Sequence, residues 1–248
     1  MGGVRGGGID TIIMPDTISV VIPAYNEREI IPDILSLIVR QVRPLEEIIV
    51  VDDDSPDNTA QAVRVLAQSN PKIRLISRPG RQGIVTAIWE GILNSKGDWV
   101  LWLDADFSDP GSRLTRLMEA KASCDIALFS RYVPGGGDRR KENLRVVASR
   151  VFNRLASFLL GTKTADLTSG YCLARREIFK DIILYGVHGE YFVRFIYQAE
   201  KKGLRIKEVP YVYYSRKKGK SKTSGSILVF IRYCWIYLVE VLRLKFSG

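Results

Sequence analysis

Two carboxylates, Asp104 and Asp106, close the run Trp99-Val-Leu-Trp-Leu-Asp-Ala-Asp106. Five apolar or aromatic residues in a row fit a strand buried on both faces, and the acidic pair then stands at its carboxyl end. In an open α/β sheet, ligands bind beyond the carboxyl ends of the strands. Hard oxygen donors placed there suit Mg²⁺ or Mn²⁺, with coordination positions left over for phosphate oxygens. A structural use is also compatible with the spacing, one Asp capping a helix after Pro110 and the other solvated. Two more apolar runs end in the same way. Val20-Val-Ile-Pro23 leads into Ala24-Tyr25-Asn26-Glu27, and Ile49-Val-Val51 into Asp52-Asp53-Asp54-Ser55. Tyr25 offers a ring for stacking, and the carboxylates of Asp52 to Asp54 can accept from base N–H groups or ribose hydroxyls. Each cluster alone fits turn and cap chemistry, but three of them facing one crevice outline a nucleotide-diphosphate site. It is not a phosphate-binding loop of the GxxxxGK[ST] kind, nor a GxGxxG dinucleotide fingerprint, because neither occurs.

The elements that must hold these residues alternate. Strands are expected at 18–23, 48–51, 73–77 and 99–103, and helices at 27–40, 57–68 and 83–94. Strand and helix taking turns at this spacing predict right-handed crossovers and a mostly parallel sheet covered on both faces. After Ser130 the rhythm loosens into the loop Gly135-Gly136-Gly137, a helix over 143–160 and shorter elements up to Tyr214. The fold class expected is α/β, with residues 1–16 a disordered lead-in, 17–222 one catalytic domain and 223–248 a C-terminal helical appendage. The glycine-rich opening lacks the apolar core of a signal peptide.

Composition narrows the chemistry. With 248 residues, 46% of them hydrophobic, the chain can bury a sizeable core. Its single histidine, His188, argues against a Ser-His-Asp triad or a multi-histidine metal centre. Cys124, Cys172 and Cys234 are odd in number and far apart, which suggests neither a disulfide framework nor a zinc site and points to a reducing compartment. The net charge of +10 is concentrated at one end: residues 201–248 carry 12 Lys/Arg against Glu208 and Glu240. A neutral domain with a basic tail fits an anionic partner, whether nucleic acid, anionic lipid or a phosphorylated substrate, or simply a solvated tail. The apolar stretch from Ile227 to Val239 is interrupted by Arg232 and followed by Glu240, too soon for a membrane span.

Six segments, in order, resemble the family 2 inverting glycosyltransferases, and more narrowly the dolichol-phosphate mannose synthases. They are Val20-Val-Ile-Pro-Ala-Tyr-Asn-Glu27, Val50-Val-Asp-Asp-Asp-Ser-Pro-Asp-Asn-Thr59, Asp104-Ala-Asp106, Ser130-Arg-Tyr132, Asp166-Leu-Thr-Ser-Gly-Tyr171 and Arg216-Lys-Lys-Gly-Lys-Ser-Lys222. The resemblance implies a GT-A type fold, Mg²⁺ or Mn²⁺, and transfer of mannose from GDP-mannose to dolichyl or another polyprenyl phosphate at the cytoplasmic face of a membrane. An integral anchor subunit is an optional further partner, and nucleic acid is not expected. Carried over by position, the resemblance puts Pro23, Tyr25 and Glu27 along the nucleoside and Val51 and Asp53 at the base or ribose. It puts Asp104, Ala105 and Asp106 on the metal and diphosphate. Arg131, Arg216 and Lys222 would meet the donor diphosphate or the acceptor phosphate, and Arg145 and Ser149, four residues apart on one helix face, the lipid phosphate. The catalytic set implied is Asp104, Asp106 and Arg131.

This chain departs from the family pattern in three places. Gly137-Asp-Arg-Arg-Lys-Glu142 stands where a Trp usually follows the glycine loop, Ser108 where many relatives have Gln, and Arg194 near the place of a glutamate. Asp166 is expected either to orient sugar hydroxyls or to cap a turn. A phosphate monoester, with a second pKa of about 6, is already largely ionised at neutral pH and needs no conspicuous general base. The tail helix, expected over 226–245 and apolar over most of its circumference, either lies in a membrane interface or packs on its own domain or a second subunit. Competing readings are a UDP-glucose or other donor, a non-lipid acceptor, a noncatalytic nucleotide-sugar binder, and a nucleic-acid binder, which the acidic strand ends disfavour.

Overall fold

The computed structural model describes residues 16–107, 113–140, 143–214 and 227–246. In chain order the strands are Ile18–Ala24 (β1), Leu45–Asp52 (β2), Ile73–Ser77 (β3), Trp99–Trp102 (β4), Ile126–Ser130 (β5), Gly137–Asp138 (β6), Cys172–Arg175 (β7), Ile206–Pro210 (β8) and Val212–Tyr213 (β9). The helices are Ile31–Gln41 (α1), Thr59–Ser69 (α2), Ile84–Leu93 (α3), Arg113–Ala120 (α4), Asn143–Leu160 (α5), Glu190–Lys201 (α6) and Ile227–Phe246 (α7).

Seven strands form one sheet in the order β3-β2-β1-β4-β7-β5-β8. All neighbours run parallel except β7, which is antiparallel to both β4 and β5. The central strands β1, β2 and β4 are buried almost throughout, as their continuous Val, Ile, Leu and Trp runs require of strands covered on both faces. On one face Ile31, Ile34, Leu35 and Ile38 of α1, Val63 of α2 and Leu114 and Leu117 of α4 close one core. On the other face α3, α5, α6 and Val241 of α7 close a second, centred on Trp102, Phe179, Phe192 and Phe195.

Two expected helix starts are late. Residues 27–30 form a turn instead, with Ile30 and Ile31 N–H donating to the Glu27 carbonyl, and α1 begins near Pro32, whose fixed φ suits the first helical turn. Asp57 precedes α2 rather than opening it. Its Oδ1 accepts from the N–H (3.0 Å) and hydroxyl (2.5 Å) of Thr59. Strand β2 starts at Leu45, three residues before the apolar run suggests, because Glu47 is buried there among its own partners. The expected lead-in lies outside the described residues apart from Asp16, whose carboxylate accepts from Trp99 Nε1 at 3.0 Å.

Helix α7 packs on α5 and α6. Its Tyr237 ring meets Phe152 of α5 edge-on, and the Glu240 carboxylate is buried in a two-pronged ion pair with Arg194 of α6. The opposite side of α7 exposes Ile231, Trp235, Leu238, Val239 and Leu242. Among the described residues, no helix is long and apolar enough to cross a membrane.

Candidate active site

Parallel register brings the expected strand ends together. Pro23 and Ala24 of β1 lie opposite Val51 and Asp52 of β2, while Val21 pairs with Trp102 of β4, so Ala24-Tyr25, Asp52-Asp53 and Asp104 open on one edge. Trp102 pairs with Cys172, and Cys172 in turn with Leu128. Asp104 and Ser130, each two residues past a paired position, therefore stand on that same edge, two strand spacings or about 10 Å apart. The line of tips runs from the acidic loop after β2, through the loop after β1 and the Asp104 to Asp106 turn, to Arg131 after β5.

At the β2 end the loop is held by its own donors. Asp53 is buried, with Oδ1 accepting from Arg78 Nη2 (2.7 Å) and the Gln82 N–H (2.8 Å) and Oδ2 from the Gly83 N–H (2.7 Å). This carboxylate thus fixes the loop before α3, and Val51 beside it is wholly buried in the sheet. Tyr25 is half-buried, with the Arg81 guanidinium 4.3 Å from its ring centroid. Glu27 is buried, and its N–H donates to Thr59 Oγ1 at 2.9 Å. Partial burial opposes ionisation of Asp57, but donation from the Thr59 hydroxyl and from the Arg28 and Thr59 N–H groups outweighs it and lowers the pKa. Arg78 and Arg81 escaped the sequence reading. The run Arg78-Pro-Gly-Arg-Gln-Gly83 between β3 and α3 was the available signal, two cations in a glycine turn on the crevice side.

In the middle, Asp104 and Asp106 are partly exposed while Ala105 between them is buried. Burial pushes the Tyr171 and Tyr191 hydroxyls well above the usual phenol value, and the Asp104 charge adds to it in both, with that of Asp106 also acting on Tyr171. These phenols stay neutral, and the Tyr191 hydroxyl accepts from Trp102 Nε1 at 3.1 Å. Among the described residues no cluster of three or more His, Cys, Asp or Glu could hold a metal. Two carboxylate oxygen donors, with the other positions left to phosphate oxygens and water, is the set that Mg²⁺ or Mn²⁺ uses on a nucleotide.

At the β5 end Arg131 is nearly enclosed. Its Nε donates to Asp166 Oδ2 (2.8 Å), Nη2 to Asp166 Oδ1 (2.7 Å) and Thr168 Oγ1 (2.6 Å), and its N–H also reaches Asp166 Oδ2 (2.9 Å). Asp166 is fully buried and further accepts from the N–H and hydroxyl of Thr168. It orients Arg131, which leaves it no oxygen for sugar hydroxyls, the first of the two roles expected for it. Burial works against the Arg131 charge, and Asp166 more than restores it, so the guanidinium stays ionised. Tyr132 Oη donates to Ser149 Oγ of α5 at 2.8 Å. Arg145, Ser149 and Asn153 do share one face. Buried Asn153 accepts from the Leu167 N–H (2.7 Å) and donates to Thr168 Oγ1 (2.9 Å), tying α5 to the Asp166 loop. Gly136 closes this corner: a Cβ there would stand 2.5 Å from the Ser130 carbonyl oxygen, so only glycine lets the loop fold back on the strand end. Arg216 and Lys222 lie outside the described residues. His188 sits in the loop before α6, its ring edge-on to that of Tyr233 of α7 with centroids 4.5 Å apart.

A parallel sheet interrupted by one antiparallel strand, with an acidic turn at its centre, defines a GT-A type glycosyltransferase fold. Residues 19–183 match the glycosyl transferase family 2 profile, and the chain belongs to that family. A polyprenol monophosphomannose synthase from Mycolicibacterium smegmatis is 35% identical over 90% of this chain and 87% of its own length. An undecaprenyl-phosphate mannosyltransferase from Micrococcus luteus is 31% identical over 84% of this chain and 88% of its own. A dolichol-phosphate mannosyltransferase from Pyrococcus furiosus is also 31% identical over 88% of this chain, which spans 62% of that longer protein. Among solved structures, glucosyl-3-phosphoglycerate synthase from Mycobacterium tuberculosis, crystallised with Mn²⁺ and UDP, superposes with a TM-score of 0.70. It covers 93% of this chain and 80% of its own at 18% identity, a likeness of fold.

Proposed function

We propose that this protein transfers mannose from GDP-mannose to the phosphate of a polyprenol carrier such as dolichyl phosphate. The observation that carries the reading is the single edge on which Tyr25, Asp104, Asp106 and Arg131 converge, supported by three relatives named for polyprenyl-phosphate mannosyl transfer. Pro23, Tyr25, Glu27, Val51 and Asp53 frame the nucleoside end, Val51 and Asp53 as the wall beneath it. Asp104 and Asp106, flanking Ala105, would hold Mg²⁺ or Mn²⁺, which when bound neutralises the diphosphate and eases departure of the nucleotide. Arg131 bears on the phosphate of the incoming acceptor, with Arg145 and Ser149 on the α5 face behind it. Arg216 and Lys222 supply further positive charge from the tail. The acceptor phosphate is its own nucleophile: ionised at neutral pH, it attacks the anomeric carbon opposite the leaving GDP and inverts that centre, and the chain's residues orient it and offset its charge.

The lipid carrier implies a membrane surface, and two helices support one. Along α5, Leu144, Val147, Val151, Leu155 and Phe158 recur at helical spacing and are all exposed, Phe158 to 83%. With the outer face of neighbouring α7 they make an apolar surface flanked by exposed Arg150, Arg154, Arg232 and Arg243, the composition of an interfacial anchor on anionic lipid. The protein then works peripherally at a cytoplasmic membrane face, residues 17–222 forming the catalytic unit and 223–248 the interface helix.

Purified protein incubated with labelled GDP-mannose, dolichyl phosphate and Mn²⁺ should give an organic-extractable labelled product. Product from UDP-glucose in its place would overturn the donor, and label confined to a water-soluble acceptor would overturn the lipid.

A further inference from the structure

The loop in which this chain departs from its family carries a second carboxylate on Arg131. Asp138 of β6 has a fully buried side chain, and its Oδ2 stands 3.7 Å from Arg131 Nη1. That is an ion pair without a hydrogen bond. Asp138 spends its hydrogen-bonding capacity elsewhere, on Arg140: Nε at 2.9 Å and 3.2 Å from its two oxygens and Nη2 at 2.6 Å. Arg140 in turn lies 5.5 Å from the Tyr213 ring of β9, and β6 pairs with β9 in a two-stranded ribbon. Arg131 is therefore gripped firmly on one side by Asp166 and Thr168 and touched loosely on the other by a carboxylate with a partner of its own. Two Arg and two Asp make the cluster neutral at rest, so an arriving phosphate meets a paired cation rather than a bare one.

We propose that Asp138 is an exchangeable counter-ion that occupies the Nη1 side of Arg131 until an anionic acceptor displaces it, while Asp166 is the positioning residue that keeps Nη1 aimed at the crevice. This deepens the reading above, since it takes the acceptor to be a phosphate monoester meeting Arg131. Displacement leaves Asp138 its partner, because Nε, Nη2 and the main-chain N–H of Arg140 all donate to it and none of these bonds involves Arg131. The pair Asp138–Arg140 then sets acceptor affinity, and the pair Asp166–Thr168 sets the geometry of the charge that receives it.

The test is a double-mutant cycle on the full chain, with citronellyl phosphate binding followed by calorimetry and acceptor KM and kcat measured with dolichyl phosphate. D138N removes the competitor and should lower both Kd and KM for the phosphate several-fold. R140Q leaves Asp138 with Arg131 alone and should raise them several-fold. The double variant D138N/R140Q should return to the tight values of D138N, whereas an Arg140 that itself grips phosphate would leave the double variant weak and overturn the exchange. D166N should act chiefly on kcat, with GDP binding unchanged as the control for folding, and T168V should show the same split more weakly if D166N fails to fold. Equal Kd in wild type and D138N would also overturn the proposal. Loss of mannosyl transfer to every lipid, with these phosphate affinities still moving as described, would instead count against the reading of the reaction and leave the exchange standing.

Discussion

Asp106→Asn keeps a side chain of the same size while removing the charge that an ion on the diphosphate requires. Transfer should fall by about 10²- to 10³-fold, the scale of one lost electrostatic contact in a transition state, with an unchanged melting temperature. Initial rates over a Mn²⁺ titration check this, and full activity at saturating metal would remove Asp106 from the site. A different carboxylate governs acid stability. Burial raises the Glu47 pKa, but donation from Arg74, the Lys96 N–H and the Ser19 hydroxyl outweighs it and leaves the folded value lowered. A group lowered on folding contributes stability above its unfolded pKa of about 4.3 and loses that contribution as pH falls through the folded value. Glu47→Gln should therefore flatten the loss of stability below about pH 4, as read from denaturant midpoints across that range.

Helix α7 is fastened by two features, each with its own consequence. Arg194 is buried with Glu240 and also lies 3.6 Å from the centroid of the Tyr185 ring. Glu240→Gln strands that guanidinium and should cost about 3–5 kcal/mol of stability, measured by urea unfolding, because removing one partner of a buried pair leaves the other uncompensated. Gly189 stands where a Cβ would come 2.0 Å from the Tyr237 hydroxyl, so Gly189→Ala should lift α7 from α6 without touching the crevice. Faster amide exchange confined to 231–246 would show the release. Exchange unchanged in α7 would mean that the close approach is relieved by the Tyr237 ring alone.

Over the whole molecule, the apolar faces of α5 and α7 lie on one side and the basic residues border them. Binding to phosphatidylglycerol vesicles should exceed binding to neutral phosphatidylcholine, and weaken with salt as screening removes the electrostatic share. Of the four tryptophans, Trp99 and Trp102 are buried and Trp89 is half-buried, while Trp235 is 65% exposed. A blue shift of emission on vesicle addition therefore reports on α7, and its absence in Trp235→Leu identifies the source. Val151→Glu with Phe158→Glu should abolish vesicle binding with GDP affinity retained. If vesicle binding survives that pair, α5 does not face the lipid.

The strand ends were legible because burial on both faces writes a continuous apolar run, and its sudden termination in Asp or Asn marks where the sheet meets solvent. Parallel alternation of strand and helix alone puts Tyr25, Asp52 to Asp54 and Asp104 to Asp106 on one edge, and the helix expected over 143–160 is α5. What the sequence could not express is who partners whom across long separations. Asp53 reads as a ligand carboxylate, and only the fold adds Arg78, 25 residues later, as its partner; Asp166 reads as serving a sugar or a turn, and it does hold the Thr168 N–H of its own turn while both oxygens also meet Arg131, 35 residues earlier. The antiparallel β7, the buried Arg194–Glu240 pair that docks α7, and the Asp138–Arg140 pair beside Arg131 were decided in the same way. A periodic pattern records how each segment meets water, which is local, whereas a charged side chain's role depends on which opposite charge the completed sheet brings within 3 to 4 Å, and only the folded chain fixes that distance.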